Sequence, residues 1–161
     1  MIILGIDPGI ATTGYGVIEK KGSSFNLITY GVISTKPDQP LPKRLDLLFC
    51  DLTTLIATHS PTHIAIEELF FNTNAKTALI VGQARGVILL CAEKNNKTIA
   101  GYTPLQVKMS VCGYGRADKK QVQYMVQKLL NLKEKPKPDD AADALAIAIC
   151  HGHSYRLNSF L

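Results

Sequence analysis

Long apolar runs are missing from this chain. None approaches the length of a membrane-spanning helix, so a transmembrane segment of that kind is excluded. The first residues, "MIILGIDPG", carry no basic segment ahead of the apolar ones and reach an aspartate at position 7, so no secretory signal is expected. Cysteine is scarce and scattered: Cys50, Cys91, Cys112 and Cys150 form no CxxC pair. That pattern argues against a zinc or disulfide framework and suits small buried residues in a reducing cytoplasm, the compartment expected here. Internal repeats and low-complexity tracts are also absent. Acids are rare where bases concentrate. Residues 94–137 hold ten of the 18 lysines and arginines but only two of the 13 acids, Asp118 and Glu134, so this segment carries +8 and the remainder −3. A basic region beside an acidic remainder suits a polyanionic partner, and a merely solvated basic surface is the plain alternative.

What is present is enough for one core. With 161 residues, 46% hydrophobic and 19% charged, the chain fits one soluble globular domain and is short for two. The expectation is a single domain over residues 1–153, with 154–161 as a frayed tail. "MIILGI" (1–6) is apolar on both faces, as a central strand is, and "DPG" ends it with turn chemistry. "GYGVIEK" (14–20) and "FNLITYGVIS" (25–34) are strand patterns joined by "KGSS", a hairpin turn. Leu41, Leu45, Leu48, Leu52, Leu55 and Ile56 recur at helical spacing to about Thr58. "HIAIEE" (63–68) reads as a short buried strand, 74–95 as a helix, and "TIAGYT" (98–103) as another strand. "PLQVKMSV" (104–111) is a short helix candidate. "GYGRADKK" (113–120) is a basic loop with Asp118 as an N-cap, and Val122, Met125, Val126, Leu129 and Leu130 mark the helix after it. The order βββ-α-β-α-β-α-α predicts an α/β fold: a mixed five-stranded sheet with helices on both faces.

The acids carry the functional question. Asp7 ends the central strand, where an unpaired buried carboxylate is costly, so it either caps the "DPGIATTG" turn or binds a cation. Glu67 ends "HIAIE". Strand alternation puts it on the face of Ala65, opposite Ile64 and Ile66, at the strand end where open α/β sheets place their sites. The alternative is a glutamate running into solvent; Glu68, on the other face, is the weaker candidate. In "PKPDDAADALAIAI" (136–149), Pro138 and Asp139 suit a helix entrance with Asp139 as its cap. Asp140 and Asp143, three apart, share a face, although acids suit a helix N-terminus whatever their role. The alanines around them allow close approach to a sheet. Carboxylates at Asp7, Glu67, Asp140 and Asp143 around one cavity would repel one another unless hard cations such as Mg²⁺ or Mn²⁺ neutralise them. Such an arrangement suits phosphodiester cleavage, with the basic segment holding the polyanion.

The ordered set "ILGIDPG…TGYGVI", "AIEELFF", "GQARGVI", "PLQVK", "GYGRADKKQV" and "DDAADALAIAI" resembles the RuvC family of Holliday-junction resolvases, from Ile3 to about His153. The resemblance implies a ribonuclease H-like fold and a homodimer. It implies an endonuclease that nicks two strands of a four-way DNA junction in symmetric pairs during recombination and repair, and leaves 5′-phosphates. It implies that Asp7, Glu67, Asp140 and Asp143 are the catalytic, metal-binding tetrad, with two Mg²⁺ per subunit and Mn²⁺ able to substitute. In some members the third acid is histidine; here it is Asp140. Phe70 matches an aromatic used against junction bases. Lys108 and Lys119 match basic residues needed for cleavage and DNA contact, with Arg116 and Lys120 in the same loop. "GQARG", with Gly82 and Gly86 one turn apart, matches a dimer-interface helix, though close packing within one chain explains those glycines equally well. The RuvA–RuvB branch-migration proteins are the implied partners.

Other readings remain at this stage. "GIDPGIATTG" resembles the first phosphate loop of actin/hexokinase-type domains, but Asp7-Pro8-Gly9 is the only DxG and that fold needs two halves. A ribonuclease H-like nuclease with another RNA or DNA substrate is the nearer rival, and a non-catalytic junction binder is a third. His151 and His153, two apart, do not share a helix face and are not expected to form a zinc pair; a helix end favouring partly charged histidine is the expectation.

Overall fold

The computed structural model describes residues 1–68 and 75–158, with side chains given for 1–68 and 77–155. The elements are β1 (Ile2–Asp7), β2 (Thr12–Lys21), β3 (Ser24–Ser34), α1 (Leu41–His59), β4 (His63–Glu67), α2 (Ala75–Lys94), β5 (Thr98–Tyr102), α3 (Pro104–Cys112), α4 (Lys119–Leu129) and α5 (Asp139–Asn158). Three helices follow β5, because Pro104–Cys112 is a helix in its own right. A capping box starts it: the Thr103 hydroxyl accepts from Gln106 N–H, and the Gln106 side chain accepts from Thr103 N–H. Asp118 and Gln121 form the same box at α4, as expected. Helix α5 runs through Asn158, where fraying was expected from Ser154.

The sheet order is β3-β2-β1-β4-β5. β1, β2 and β3 pair antiparallel in sequence; β4 and then β5 add on the other side of β1 in parallel. The chain reaches β4 and β5 through crossover helices, so the parallel half is covered on both faces. Alternation along each strand divides the core in two. Ile3, Ile18 and Ala65 face a cluster with Tyr102, Val107, Val122, Val126, Leu145 and Ile149 from β5 and α3–α5. Leu4, Ile6, Val17, Ile64 and Ile66 face Leu48, Leu52, Ile56, Ala84 and Ile88 from α1 and α2. None of the helices among the described residues is long and apolar enough to cross a membrane.

Helix α5 lies unusually close to the sheet. A Cβ placed on Gly5 would stand 2.1 Å from the Ala144 carbonyl oxygen, and one on Gly14 2.0 Å from that of Asp140. Gly5 pairs with Gly16 across β1 and β2, and Gly14 pairs with Asp7. Glycine is therefore required under the first turns of α5, and Ala141, Ala142, Ala144, Ala146 and Ala148 on the helix side are all buried. Among the described residues, Asp139 does not cap this helix: the Pro138 carbonyl accepts from Ala141 and Ala142 N–H, and the Asp139 side chain turns to α4 instead.

The histidines also depart from expectation. His151 lies inside α5, 3% exposed, with Nδ1 2.8 Å from the Tyr102 hydroxyl and its ring 5.1 Å from that of His63. Burial, helped by His63, pushes His151 down to about 4, and burial also lowers His153. Burial therefore opposes charge on both, and neither stands at the end of α5.

Two outcomes follow. Replacing Gly5 with alanine should destabilise the fold by about 3 kcal/mol or more, since backbone and not a flexible side chain must move; chemical denaturation checks this. For His151 the folded value lies below the unfolded 6.5, so its contribution is complete above pH 6.5 and is lost as pH falls toward about 4. The loss should be on the order of 2–3 kcal/mol, and a His151→Gln variant should show a shallower acid slope in denaturant titrations across that range.

Candidate active site

β1 and β4 are parallel neighbours at the centre of the sheet, and their last paired positions are Ile6 and Ile66. One residue further on, Asp7 and Glu67 emerge side by side at the C-terminal strand ends. Both carry the parity of Gly5 and Ala65, so both face α5. Its first turn brings Asp140 and Asp143 to the same place, because the Asp140 backbone rests on Gly14, the partner of Asp7.

The two readings of Asp7 can now be separated. Its carboxylate makes no hydrogen bond among the described residues. The turn after it is held by other groups: the Thr13 hydroxyl donates to the Gly9 carbonyl, the Thr35 hydroxyl donates to that of Ile10, and Arg44 Nε donates to Thr35 Oγ1 at 2.8 Å. Asp7 therefore stands free of the turn. Burial first, then the charges of Glu67, Asp143 and Asp140, drive its pKa to about 7 against the pull of Lys119. Glu67 is raised by burial and by Asp143, with Lys108 opposing. Asp143 is raised by burial although Lys119 opposes. Three strained carboxylates and the charge of Asp140 meet in one place, although among the described residues no group of three or more His, Cys, Asp or Glu forms a ready-made metal cage.

Lysines complete the site. A cleft of about 230 Å³ is bounded by Glu67, Asp143, Lys108 and Lys119, with apolar walls from Val107, Val122, Ala146 and Ile147. Lys119 Nζ lies 3.1 Å from Asp143 and 3.4 Å from Asp139. Asp139 in turn accepts from Gln123 Nε2 at 2.8 Å. Burial works to lower the Lys119 pKa, but its bonds to Asp143 and Asp139 win and raise it, so it stays an ammonium. Gln123 and Asp139 as holders of Lys119 were not legible as such, because their contact joins two helices that only the tertiary fold brings together. Arg116 and Lys120 are exposed and do not line this cleft. Phe70, and Phe71 beside it, lie outside the described residues.

This arrangement can hold hard cations through carboxylate oxygens while keeping two ammonium groups beside them, which is the equipment for handling a phosphodiester. The family description "Crossover junction endodeoxyribonuclease RuvC" matches residues 3–151. The chain belongs to the RuvC family. The RuvC of Alkaliphilus oremlandii is 58% identical over 154 residues, covering 96% of this chain and 94% of that protein. The structure of Thermus thermophilus RuvC in complex with a Holliday junction superposes with a TM-score of 0.94 at 36% identity, covering 99% of this chain and 97% of that one. The yeast mitochondrial Holliday junction resolvase shares the fold, with a TM-score of 0.64 at 20% identity over 99% of this chain and 86% of that one. The mixed five-stranded sheet expected from the strand order is thus the RuvC sheet.

In this RuvC-family site the raised Asp7 sets a pH dependence. Its folded value lies above the unfolded 3.8, so its ionisation costs stability that grows from pH 3.8 to about 7 and is constant above. Asp7→Asn should raise the melting temperature of the metal-free protein at pH 8. Any divalent cation that Asp7 ligates should bind more weakly as pH drops below about 7, with proton release on binding that calorimetry in buffers of different ionisation enthalpy will detect.

Proposed function

We propose that this chain resolves four-way DNA junctions by paired nicks, through metal-dependent hydrolysis that leaves 5′-phosphates. The observation that carries this reading is the meeting of Asp7, Glu67, Asp140 and Asp143 beside a cleft that also presents Lys108 and Lys119. The donor set, four carboxylates without thiol or imidazole, suits Mg²⁺, two per subunit, with Mn²⁺ able to substitute. Cations held there supply activation of water and charge for the leaving oxygen.

The protein's own groups do the rest. Asp7, which feels the charges of Glu67, Asp143 and Asp140, would hold a bound cation together with them. Lys108 meets the phosphate from α3. Lys119, paired with Asp143 and with Asp139, which in turn accepts from Gln123, would keep an ammonium at the cleft with a cation bound. Arg116 and Lys120, exposed on the loop and first turn before and within α4, contact the DNA backbone farther out, and Phe70, outside the described residues, is the aromatic assigned to the junction bases.

Symmetric nicking requires two sites related by a twofold axis. Helix α2 offers a surface for this: Leu79 and Leu90 are 65% and 52% exposed, and Gly86, on the same face, has nothing within 4 Å of its Cβ position. Among the described residues nothing packs into that space, which supports a homodimer through α2. RuvA and RuvB are the partners in this reading, and the cytoplasm, where the chromosome lies, is the compartment.

The test offers the protein a synthetic four-way junction, a linear duplex and an RNA–DNA hybrid, each with Mg²⁺ and with EDTA. Paired nicks in the junction alone, with Mg²⁺ alone, are expected; preferential cutting of the hybrid overturns the substrate assignment. Asp7→Asn should lower cleavage by at least about 10²–10³-fold while leaving junction binding intact.

A further inference from the structure

Four of the seven large apolar side chains exposed among the described residues, Leu105, Met109, Tyr114 and Tyr124, lie on α3, α4 and the loop between them, away from the α2 surface. Gly115 holds this surface together: a Cβ there would meet Leu105 Cδ1 at 2.4 Å and Met109 Sδ at 3.4 Å, so the loop backbone is seated on α3. The loop leaves α3 through Gly113 in the left-handed region, φ 68°, and projects Tyr114 outward, 55% exposed. Tyr124, 49% exposed, stands across a groove of about 210 Å³ whose floor is Cys112, Ala117 and Met125 with Gln121 beside it. Neither phenol oxygen makes a hydrogen bond among the described residues.

The charge around the groove is mainly positive, with Asp118 the acid beside it. Lys128 Nζ lies 5.3 Å from the Tyr124 ring centroid, and Arg116 and Lys120 stand exposed nearby in sequence. Asp118, one of the two acids in the segment 94–137, is committed to the α4 capping box. An apolar slot with aromatic walls inside a basic frame matches a nucleotide: the π-face finds the rings and the phosphates find the cations. The groove and the cleft both draw walls from α3 and α4. Lys108 of α3 lines the cleft and Lys119 starts α4, so a strand engaged at the acids lies against the same two helices.

We propose that the groove between Tyr114 and Tyr124 receives an unstacked nucleobase of the bound DNA, beyond the strand segment held at the acids. This rests on the junction-resolving reading and adds to it a second, stacking contact. Four-way junctions provide bases at the crossover that stack less completely than those of a duplex, and a protein that can house one gains a preference for the branched form without reading sequence.

The test uses the full chain in EDTA, so that binding is read without cleavage. The probes are a fluorescent oligothymidine strand and a four-way junction, each followed by anisotropy over a range of salt. Tyr114→Ala and Tyr124→Ala should each weaken oligothymidine binding roughly tenfold, whereas Tyr114→Phe and Tyr124→Phe keep it near wild type. The slope of affinity against salt should be unchanged in all four, because no phosphate contact is removed. In the wild type, 5-iodouracil placed along the strand should photocrosslink to Tyr114 or Tyr124, a readout independent of how well any variant folds. Alanine variants that bind like wild type, or crosslinks confined to other residues, overturn the proposal and give the groove to a protein partner or a second copy of the chain. A wild type that fails to cut the junction in Mg²⁺ but shows the tyrosine effects in EDTA would sink the resolvase reading and leave the groove standing.

Discussion

The contact between the α5 backbone and the glycines of β1 and β2 is the constraint from which the site follows. Helices usually rest on sheets through side chains of both layers. Here Gly5 and Gly14 remove the sheet's layer, and alanines thin the helix's layer, so that carbonyl oxygens of Ala144 and Asp140 sit against the strands themselves. Short side chains on α5 can then reach the strand ends. Aspartate, with a single methylene, suffices at 140 and 143, and shorter reach means fewer rotamers and better-defined oxygen positions.

The same closeness creates the electrical tension of the site. Asp7 is pushed to about 7 because burial and three other acids act on it together. The fold meets the tension in part with Lys119, whose ammonium lies between Asp143 and Asp139. Asp139 thus has a role different from that of its neighbours, although the three aspartates stand within five residues of one another. It sits at the outer edge of the helix start, exposed, and connects to α4 through Gln123. The site is assembled from three layers of the chain: strand ends supply Asp7 and Glu67, one helix start supplies the pair, and the α3–α4 unit supplies the cations.

Much of this was legible in the sequence because it depends on local period. Alternation in "HIAIE" put Glu67 opposite Ile64 and Ile66, and the two cores bear that out. The spacing of Asp140 and Asp143 placed them on one face, and Asp118 was recognisable as a cap from its position before an amphipathic helix. The contacts that escaped reading join elements distant in the chain. Gly5, Gly14 and Gly16 give a signal only when the register of β1 on β2 is known, since only then do they form one patch. Asp139 looked like a cap because the favourable charge of a helix start is a generic signal; its actual partners come from α4. His151 looked like a helix-end residue because the end of α5 was expected five residues too early, and Tyr102, which bonds it, comes from β5.

The antiparallel half of the sheet has a use of a different kind. The hairpin at Gly22 and Ser23 closes the end of the sheet opposite Asp7 and Glu67, since Lys21 pairs with Ser24 there while Asp7 pairs with Gly14 at the other end. Gly22 adopts a left-handed conformation, φ 59°, with open space around it. That turn is a natural handle. A fluorophore or surface tether attached at Ser23 would sit a full strand length from the cleft, and would let single molecules be watched on branched DNA with the reacting end left free.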